Sequence, residues 1–301
     1  MDSILKWGDI SDALLAGHRL PKASISDGLV YRGDDTLLSR SAWIDGLGAL
    51  VKSATIVPEN TAKDIPMVNG GVMLFDDDTG QLEALVDFHL VTKWKTAGDS
   101  LLGAKLLARP DSKDILIVGA GTVSRNMVSA YASAFAGARF MVWNRSPENA
   151  QKMVAELSGN FDISQVTNLA DAVQHADIIN CATMSSQPVI KGEWLRDGQH
   201  LNLIGAYRPD MREADDTALQ KARIFVDSRE TTIDHIGELK LPIASGAISK
   251  SDIIADYYDI ASGLFCKESD TEITLFKNGG GAHLDLMTAK LILQKWREVN
   301  A

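Results

Sequence analysis

The residues best placed to do chemistry lie in the run DILIVGAGTVSRN, where Gly119, Gly121 and Ser124 take the three positions of a G-x-G-x-x-G/A pattern. Each position has a physical task. The first glycine allows a tight turn. The second lets backbone approach a charged pyrophosphate. The third must be small so that a helix can pack closely on a strand, and a serine still meets that need. An apolar strand, Ile115 to Val118, precedes the motif, and a helix follows it. That helix opens at Thr122 and Val123, whose backbone N–H groups have no partner in the first turn and can face an anion. A chance glycine-rich turn would supply the glycines alone. Here a second strand, Arg139 to Trp143, also ends about 20 residues further on, as the unit requires. The motif predicts dinucleotide binding.

The second strand runs into MVWNRSPENA. A site built for NAD(H) places Asp or Glu at this point to accept from the ribose 2′-hydroxyl. Asn144, Arg145 and Ser146 stand here instead. A guanidinium pairs with a 2′-phosphate through two hydrogen bonds, and a hydroxyl adds another. The expected cofactor is NADP(H), with NAD(H) the alternative. The bland alternative for Arg145 is stacking on adenine or facing solvent.

These residues need elements to hold them. Before residue 100 the pattern is short strands, Leu50 to Val57, Gly71 to Phe75 and Leu82 to Asp87, with the turn cluster Asp76 to Gly80 making a hairpin of the last two. From Thr96 the apolar spacing becomes helical and stops before Pro110. Beyond it, strands at 115–118, 139–143, 178–182, 201–204 and 224–226 alternate with helical stretches such as 147–157. That alternation predicts an α/β fold with a doubly wound parallel sheet. A last strand, EITLFK, leads through Gly279, Gly280 and Gly281 into a long C-terminal helix, Leu284 to Trp296.

The whole chain sets bounds on function. It has 301 residues, 45% hydrophobic and 23% charged, which suits a globular protein with a substantial core and length for two domains. Its net charge of -10 argues against non-specific nucleic-acid binding, because no basic excess exists to neutralise phosphates. The two cysteines, Cys181 and Cys266, lack metal-type spacing and predict neither a disulfide framework nor a metal site. Cys181, at a strand end, reads as a small buried apolar residue. The N-terminal MDSILKWGDI has no basic stretch followed by an apolar one, and no run approaches the roughly 20 apolar residues of a membrane span. A soluble cytoplasmic protein is expected.

Four segments together resemble the ornithine cyclodeaminase/mu-crystallin family: VTKWKTAGDSLLGAKLLAR, the VGAGTVSRN loop, LIGAYRPDMREADD and ITLFKNGGGAHLDLMTAKLIL. The stretch WNRSPENAQK resembles the mu-crystallin side, whose members use NADPH. The resemblance implies a homodimer whose subunit has two domains. Residues 1–108 with 278–301 would form a smaller α+β domain for substrate and dimerisation, and 109–277 a Rossmann domain. It also implies a substrate with an α-carboxylate beside an amine or imine.

Such a substrate needs cations for the carboxylate and a polar group to move a proton. Lys52 falls where the family places a substrate-binding lysine. Lys95 falls where the family has arginine; an ammonium there acts as a point charge without the bidentate fork. Either could instead be a solvated surface cation. A further family arginine corresponds to Arg32 or Arg40, between which the sequence does not choose. Glu238 follows Gly237 where the family carries an acid, aspartate in ornithine cyclodeaminase. His283 replaces an aliphatic residue beside the glycine-rich turn and could donate a proton near neutral pH, or merely pack at the helix start. Asp285 matches a family aspartate and is expected to organise the helix start. Thr183 matches a family threonine lining the cofactor, and Gly205 and Ala206 would allow close backbone approach.

The resemblance and the residues together predict an NADP(H)-preferring reductase of a small cyclic ketimine acid such as Δ1-pyrroline-2-carboxylate. Lys52 and Lys95 would hold its carboxylate, with Glu238 or His283 relaying the proton. Cyclodeamination oxidises an amine, expels ammonia, closes a ring and reduces an imine in one site, so it tolerates a displaced carboxylate less well than a single hydride transfer. The alternatives are an ornithine cyclodeaminase with bound NAD(H), a linear amino-acid dehydrogenase, and, in another class, a non-catalytic ligand-binding protein.

Overall fold

Fully buried apolar strands form the centre of the larger of two units. In the computed structural model, which describes residues 1–63 and 65–301, the chain divides into Met1–Gly98 with Gly281–Ala301, and Asp99–Gly280. The sequence placed the first division at 108/109, ten residues late. The helix Phe88–Leu107 crosses it, and its second half belongs to the larger unit for a visible reason. The Tyr257 hydroxyl donates to the Asp99 carbonyl at 2.8 Å, the Tyr131 hydroxyl donates to the Ser100 carbonyl at 3.1 Å, and Gly103 lies against the Phe276 ring.

The smaller unit is an antiparallel meander. Its strands β1 (Ser24–Arg32), β2 (Asp35–Ile44), β3 (Gly48–Ile56), β4 (Val68–Phe75) and β5 (Leu82–Asp87) lie in sequence order. The expected β4–β5 hairpin is present, and the β1–β2 hairpin was not anticipated. The helices α1 (Trp7–Gly17) and α9 (Ala282–Asn300) pack together, and α9 also covers β2 and β3. A side chain at Gly17 would meet Met287 at 2.4 Å, so glycine permits that helix contact. Alternation in β3 turns Leu50, Lys52 and Ala54 inward, with Ala42 and Ile44 of β2 beside them. The opposite face leaves Val30, Leu37, Trp43 and Leu85 exposed.

The helix α2 (Phe88–Leu107) starts directly after β5, eight residues before the sequence reading had it. Asp87 provides the start, its side chain accepting from the Leu90 N–H at 2.7 Å. This early start places Lys95 on a helix.

The larger unit is an all-parallel eight-stranded sheet in the order β12-β11-β13-β10-β9-β6-β7-β8. Its strands are β6 (Asp114–Val118), β7 (Arg139–Trp143), β8 (Ile163–Gln165), β9 (Ile178–Cys181), β10 (His200–Leu203), β11 (Arg223–Val226), β12 (Ile253–Ala255) and β13 (Thr274–Lys277). The helices α3 (Thr122–Ala132), α4 (Pro147–Leu157), α5 (Leu169–His175), α6 (Asp216–Lys221), α7 (Arg229–Thr232) and α8 (Gly237–Ser245) connect them. Ile115, Leu116, Ile117 and Val118 of β6 are all 0% exposed, each contributing roughly 1.5–3 kcal/mol by burial. Strand order reverses between β6 and β9, which is where a doubly wound sheet opens a crevice at its carboxyl end. Among the described residues no helix is long and apolar enough to cross a membrane.

Candidate active site

The predicted cofactor residues converge through strand register. Trp143, Val118, Cys181 and Leu203 form one row across β7, β6, β9 and β10. Immediately beyond that row stand Asn144 to Ser146, Gly119 to Gly121, Thr183 and Gly205, all at the carboxyl end of the sheet. Gly119 has φ +115°, and a side chain there would meet the Ala182 carbonyl at 2.8 Å. Gly121 caps α3, and a side chain built on it would find nothing within 4 Å. The space beside Gly121 is therefore open at the start of α3, whose first N–H groups lack helical partners, which suits a pyrophosphate. Ser124 is fully buried with its Oγ beside Gly119, the close helix-to-strand packing the motif requires. Arg125 ties the loop down by donating to the Ala120 carbonyl and to Glu156.

Beyond β7, the Asn144 amide donates to the Ser146 carbonyl at 2.9 Å and shapes the turn into α4. Arg145 is exposed and has no ion-pair partner among the described residues. No carboxylate stands among residues 144–146, so the residues present fit a nicotinamide dinucleotide with or without a 2′-phosphate.

A buried acid that the sequence did not reveal organises the other side of the crevice. Glu213 is 0% exposed, and one of its oxygens accepts from the Thr183 N–H and Oγ at 2.7 and 2.8 Å. The other accepts from the N–H groups of Gly205 and Ala206 at 2.6 and 3.2 Å. One carboxylate therefore holds the ends of β9 and β10 together. A side chain at Gly205 would come within 1.9 Å of the Thr183 carbonyl, so only glycine fits. The fully buried Lys277 ammonium donates to the carbonyls of Leu203 and Ala206 at 3.1 and 2.8 Å, fixing the same loop from below.

Glu238 belongs to this scaffold. It is fully buried, and its two oxygens accept from the backbone N–H groups of Glu213 and Ala214 at 2.7 and 3.0 Å. Burial first, and the Glu213 carboxylate second, push its pKa up to about 7. Asp227, also unanticipated, does the same for the glycine-rich turn. It accepts from the N–H groups of Gly279 and Gly280 at 2.8 and 2.5 Å, from the Ser228 N–H, and from the Thr232 hydroxyl.

The smaller unit carries a buried cluster of cations. Lys52 donates to Asp285 Oδ1 at 2.8 Å and to the Thr92 hydroxyl at 2.9 Å, with its ammonium over the Phe88 ring. Burial lowers the Lys52 pKa despite the pull of Asp285 the other way. Arg40 is the cross-strand neighbour of Lys52 and is paired with Asp27. Arg32 is 87% exposed at the hairpin end and paired with Asp35, far along β1 from this register. Between the two candidate arginines, register therefore puts Arg40 beside Lys52. Lys95 is only 8% exposed and makes no hydrogen bond or ion pair among the described residues. With Lys52 matched to Asp285 and Arg40 to Asp27, one positive charge is left over.

His283 lacks the ionisation expected of it. Full burial first, then the nearby His18 ring and the Lys95 ammonium, push its pKa well below the ordinary value. Its surroundings therefore disfavour the imidazolium that a proton donor near neutral pH would need. Asp285 lies in the first turn of α9 as expected, but it also faces the cations. Burial alone would raise its pKa; Lys52 and Lys95 outweigh that and hold it below the usual range. Cys181 is buried, as its apolar reading required. No group of three or more His, Cys, Asp or Glu is placed to share a metal among the described residues.

The chain is 52% identical to a Δ1-pyrroline-2-carboxylate reductase of Paracoccus denitrificans, over 96% of this chain and 92% of that one. Among solved structures it superposes on Δ1-pyrroline-2-carboxylate reductase of Thermococcus litoralis, in complex with NADH and L-proline, with a TM-score of 0.91. Identity there is 29%, covering 99% of this chain and 95% of that one. An archaeal alanine dehydrogenase dimer with bound NAD gives a TM-score of 0.90 at 27% identity, covering 99% and 94%. Residues 45–300, from β3 through α9, match the ornithine cyclodeaminase/mu-crystallin family, and the chain belongs to that family.

Proposed function

We propose that this chain is an NAD(P)H-dependent reductase of a small cyclic ketimine acid, Δ1-pyrroline-2-carboxylate being the first candidate. The observation that carries this is the surplus cation: a nearly buried Lys95 with no hydrogen-bonded or ion-paired anion among the described residues, beside a Lys52 already matched to Asp285. A protein tolerates such a charge when a ligand completes it. A small carboxylate supplies one negative charge, which is what the cluster lacks. The match to a reductase of that imino acid, 52% identical over 96% of this chain, supports the substrate class.

The nicotinamide, when bound, supplies a hydride. The protein's own residues do the rest. Lys52, Lys95 and Arg40 hold and orient the carboxylate. Glu213 and Lys277 fix the Thr183 and Gly205 loops that line the crevice. We assign neither Glu238 nor His283 to proton transfer, because the first has both oxygens on backbone N–H groups and the second is neutral. NADP(H) is the proposed preference on the strength of Asn144, Arg145 and Ser146, with NAD(H) the alternative. A homodimer is proposed through the open face of the smaller sheet, where Val30, Leu37, Trp43 and Leu85 would otherwise meet water. The unpaired thiols Cys181 and Cys266 suit a reducing cytoplasm.

The test is oxidation of NADPH and NADH by the purified protein, followed by nicotinamide absorbance, with Δ1-pyrroline-2-carboxylate as acceptor. Turnover, faster with NADPH, is expected. Proline and ammonia formed from ornithine, with no reduction of the imine, would replace this reading with the cyclodeaminase.

A further inference from the structure

The Asp285 carboxylate is half used. Its Oδ1 receives the Lys52 ammonium, while its Oδ2 is buried and has no hydrogen-bond partner among the described residues. One turn along α9, the hydroxyl of the fully buried Thr288 also lacks a partner. Orphaned buried polar atoms are uncommon in folded proteins, and two on one stretch of helix beside a cation cluster mark a missing ligand group. The surplus ammonium of Lys95 calls for an anion; the free oxygen of Asp285 calls for an N–H donor. A cyclic imino acid offers both from a single carbon, its carboxylate and its ring nitrogen.

We propose that Asp285 is the residue that recognises the substrate's nitrogen, its Oδ2 accepting the N–H of the iminium in the reactant and of the secondary ammonium in the product. This rests on the reductase reading above and extends it to a specificity-determining contact. Because the neighbouring lysines keep Asp285 ionised, it serves as acceptor and counter-ion, not as acid. The step balances without any transfer from Asp285. Hydride from the reduced nicotinamide adds to the imine carbon, and the C=N π pair moves onto nitrogen, which keeps its proton. The amine so formed then takes a further proton from solvent. A carboxylate beside the nitrogen stabilises the cationic iminium that accepts hydride most readily. It also disfavours a 2-oxo acid, whose uncharged carbonyl would turn its oxygen toward the anion.

The contact is tested by binding, not turnover. L-Proline and tetrahydrofuran-2-carboxylate share shape and carboxylate, but the second has a ring oxygen in place of the N–H. Each is titrated by calorimetry into NADH-saturated protein, wild type and Asp285→Asn. The wild type is expected to favour proline. In the variant, proline affinity falls roughly 10- to 100-fold, the loss of a charge-assisted hydrogen bond, while the ether acid binds as well or better because Lys52 is released to it. Equal losses for both ligands would mean that Asp285 only aligns Lys52, and would overturn the proposal. Unchanged proline binding would overturn it as well. Should Asp285→Asn fail to fold with Lys52 stranded, the double variant Lys52→Met/Asp285→Asn removes the pair together. There the preference for proline over the ether acid should vanish, and its persistence would refute the contact. A wild type that binds neither ligand defeats the reductase reading itself, and this inference with it.

Discussion

Replacing Lys95 by methionine separates a ligand-binding cation from a structural one. Methionine keeps most of the length and removes the charge. Lys52 is matched to Asp285 at 2.8 Å and Arg40 to Asp27 at 2.7 Å, so Lys95 carries the charge free for substrate. At about 4 Å and an effective dielectric near 20, an ammonium attracts a carboxylate by about 4 kcal/mol. Allowing for desolvation of the ligand, roughly 2–4 kcal/mol should be lost, a 30- to 900-fold fall in kcat/KM. Substrate and transition state share the carboxylate equally, so the loss should lie in KM, with kcat held.

The same substitution should not harm the fold. In the ligand-free protein Lys95 repels Lys52 and attracts Asp285 without pairing to it, so the two effects oppose and its removal changes denaturant stability little. Lys52→Met should do the opposite, stripping the buried Asp285 carboxylate of its hydrogen-bonded partner at a cost of roughly 3–5 kcal/mol. Steady-state kinetics on the imine and urea unfolding of the two variants together decide the matter. If Lys95→Met unfolds as easily as Lys52→Met, or leaves KM where it was, the charge account of this cluster is wrong.

Arg145→Asp should lower the preference for NADPH over NADH by roughly 10- to 100-fold, through loss of a charge-assisted pair and gain of a repulsion, as read from KM for the two cofactors; an unaltered ratio would show that Arg145 does not touch the 2′-phosphate. Glu238 has a folded pKa of about 7 against an ordinary 4.5, so the native state binds its proton more tightly, and stability should decline by about 3 kcal/mol as pH rises through that window. Glu238→Gln cannot ionise and should flatten that slope, at a lower plateau because its amide nitrogen would confront a backbone N–H; unfolding at a series of pH values with the same slope in both proteins would refute the assignment. Leu85→Glu, on the open sheet face where Leu85 is 75% exposed, should convert a dimer to monomers in light scattering, and an unchanged mass would move the interface elsewhere.

The cofactor half of the site was legible because a parallel sheet writes it locally. Each strand is a short apolar run, and the residues proposed to meet the dinucleotide follow directly. Gly119, Asn144, Thr183 and Gly205 could be marked without knowing the strand order, and register then assembled them. Glu213, Lys277 and Asp227 were not legible, because each acts on backbone brought to it from elsewhere. Glu213 reaches Thr183, 30 residues away, and Asp227 reaches Gly280, 53 residues away. A charged residue in a loop carries no local sign that its partners are main-chain N–H groups.

The substrate half depends on faces and registers that composition hides. Arg32 and Arg40 sit in one hairpin with the same surroundings in sequence, and only the pairing of Arg40 with Lys52 across β2 and β3 puts it inward. The two readings of His283 stayed open for a related reason. A histidine near a glycine-rich turn suggests an exposed proton donor, but burial against His18 in the helix packing of α1 and α9 removes its charge. Lys95 and Asp285 show the reverse. Their residue types were visible, yet the chemistry proposed for them comes from what each lacks, a paired anion in one case and a donor in the other. An unmatched group in an otherwise satisfied interior locates a ligand more sharply than the charged residue itself, because the fold alone gives no reason to bury it.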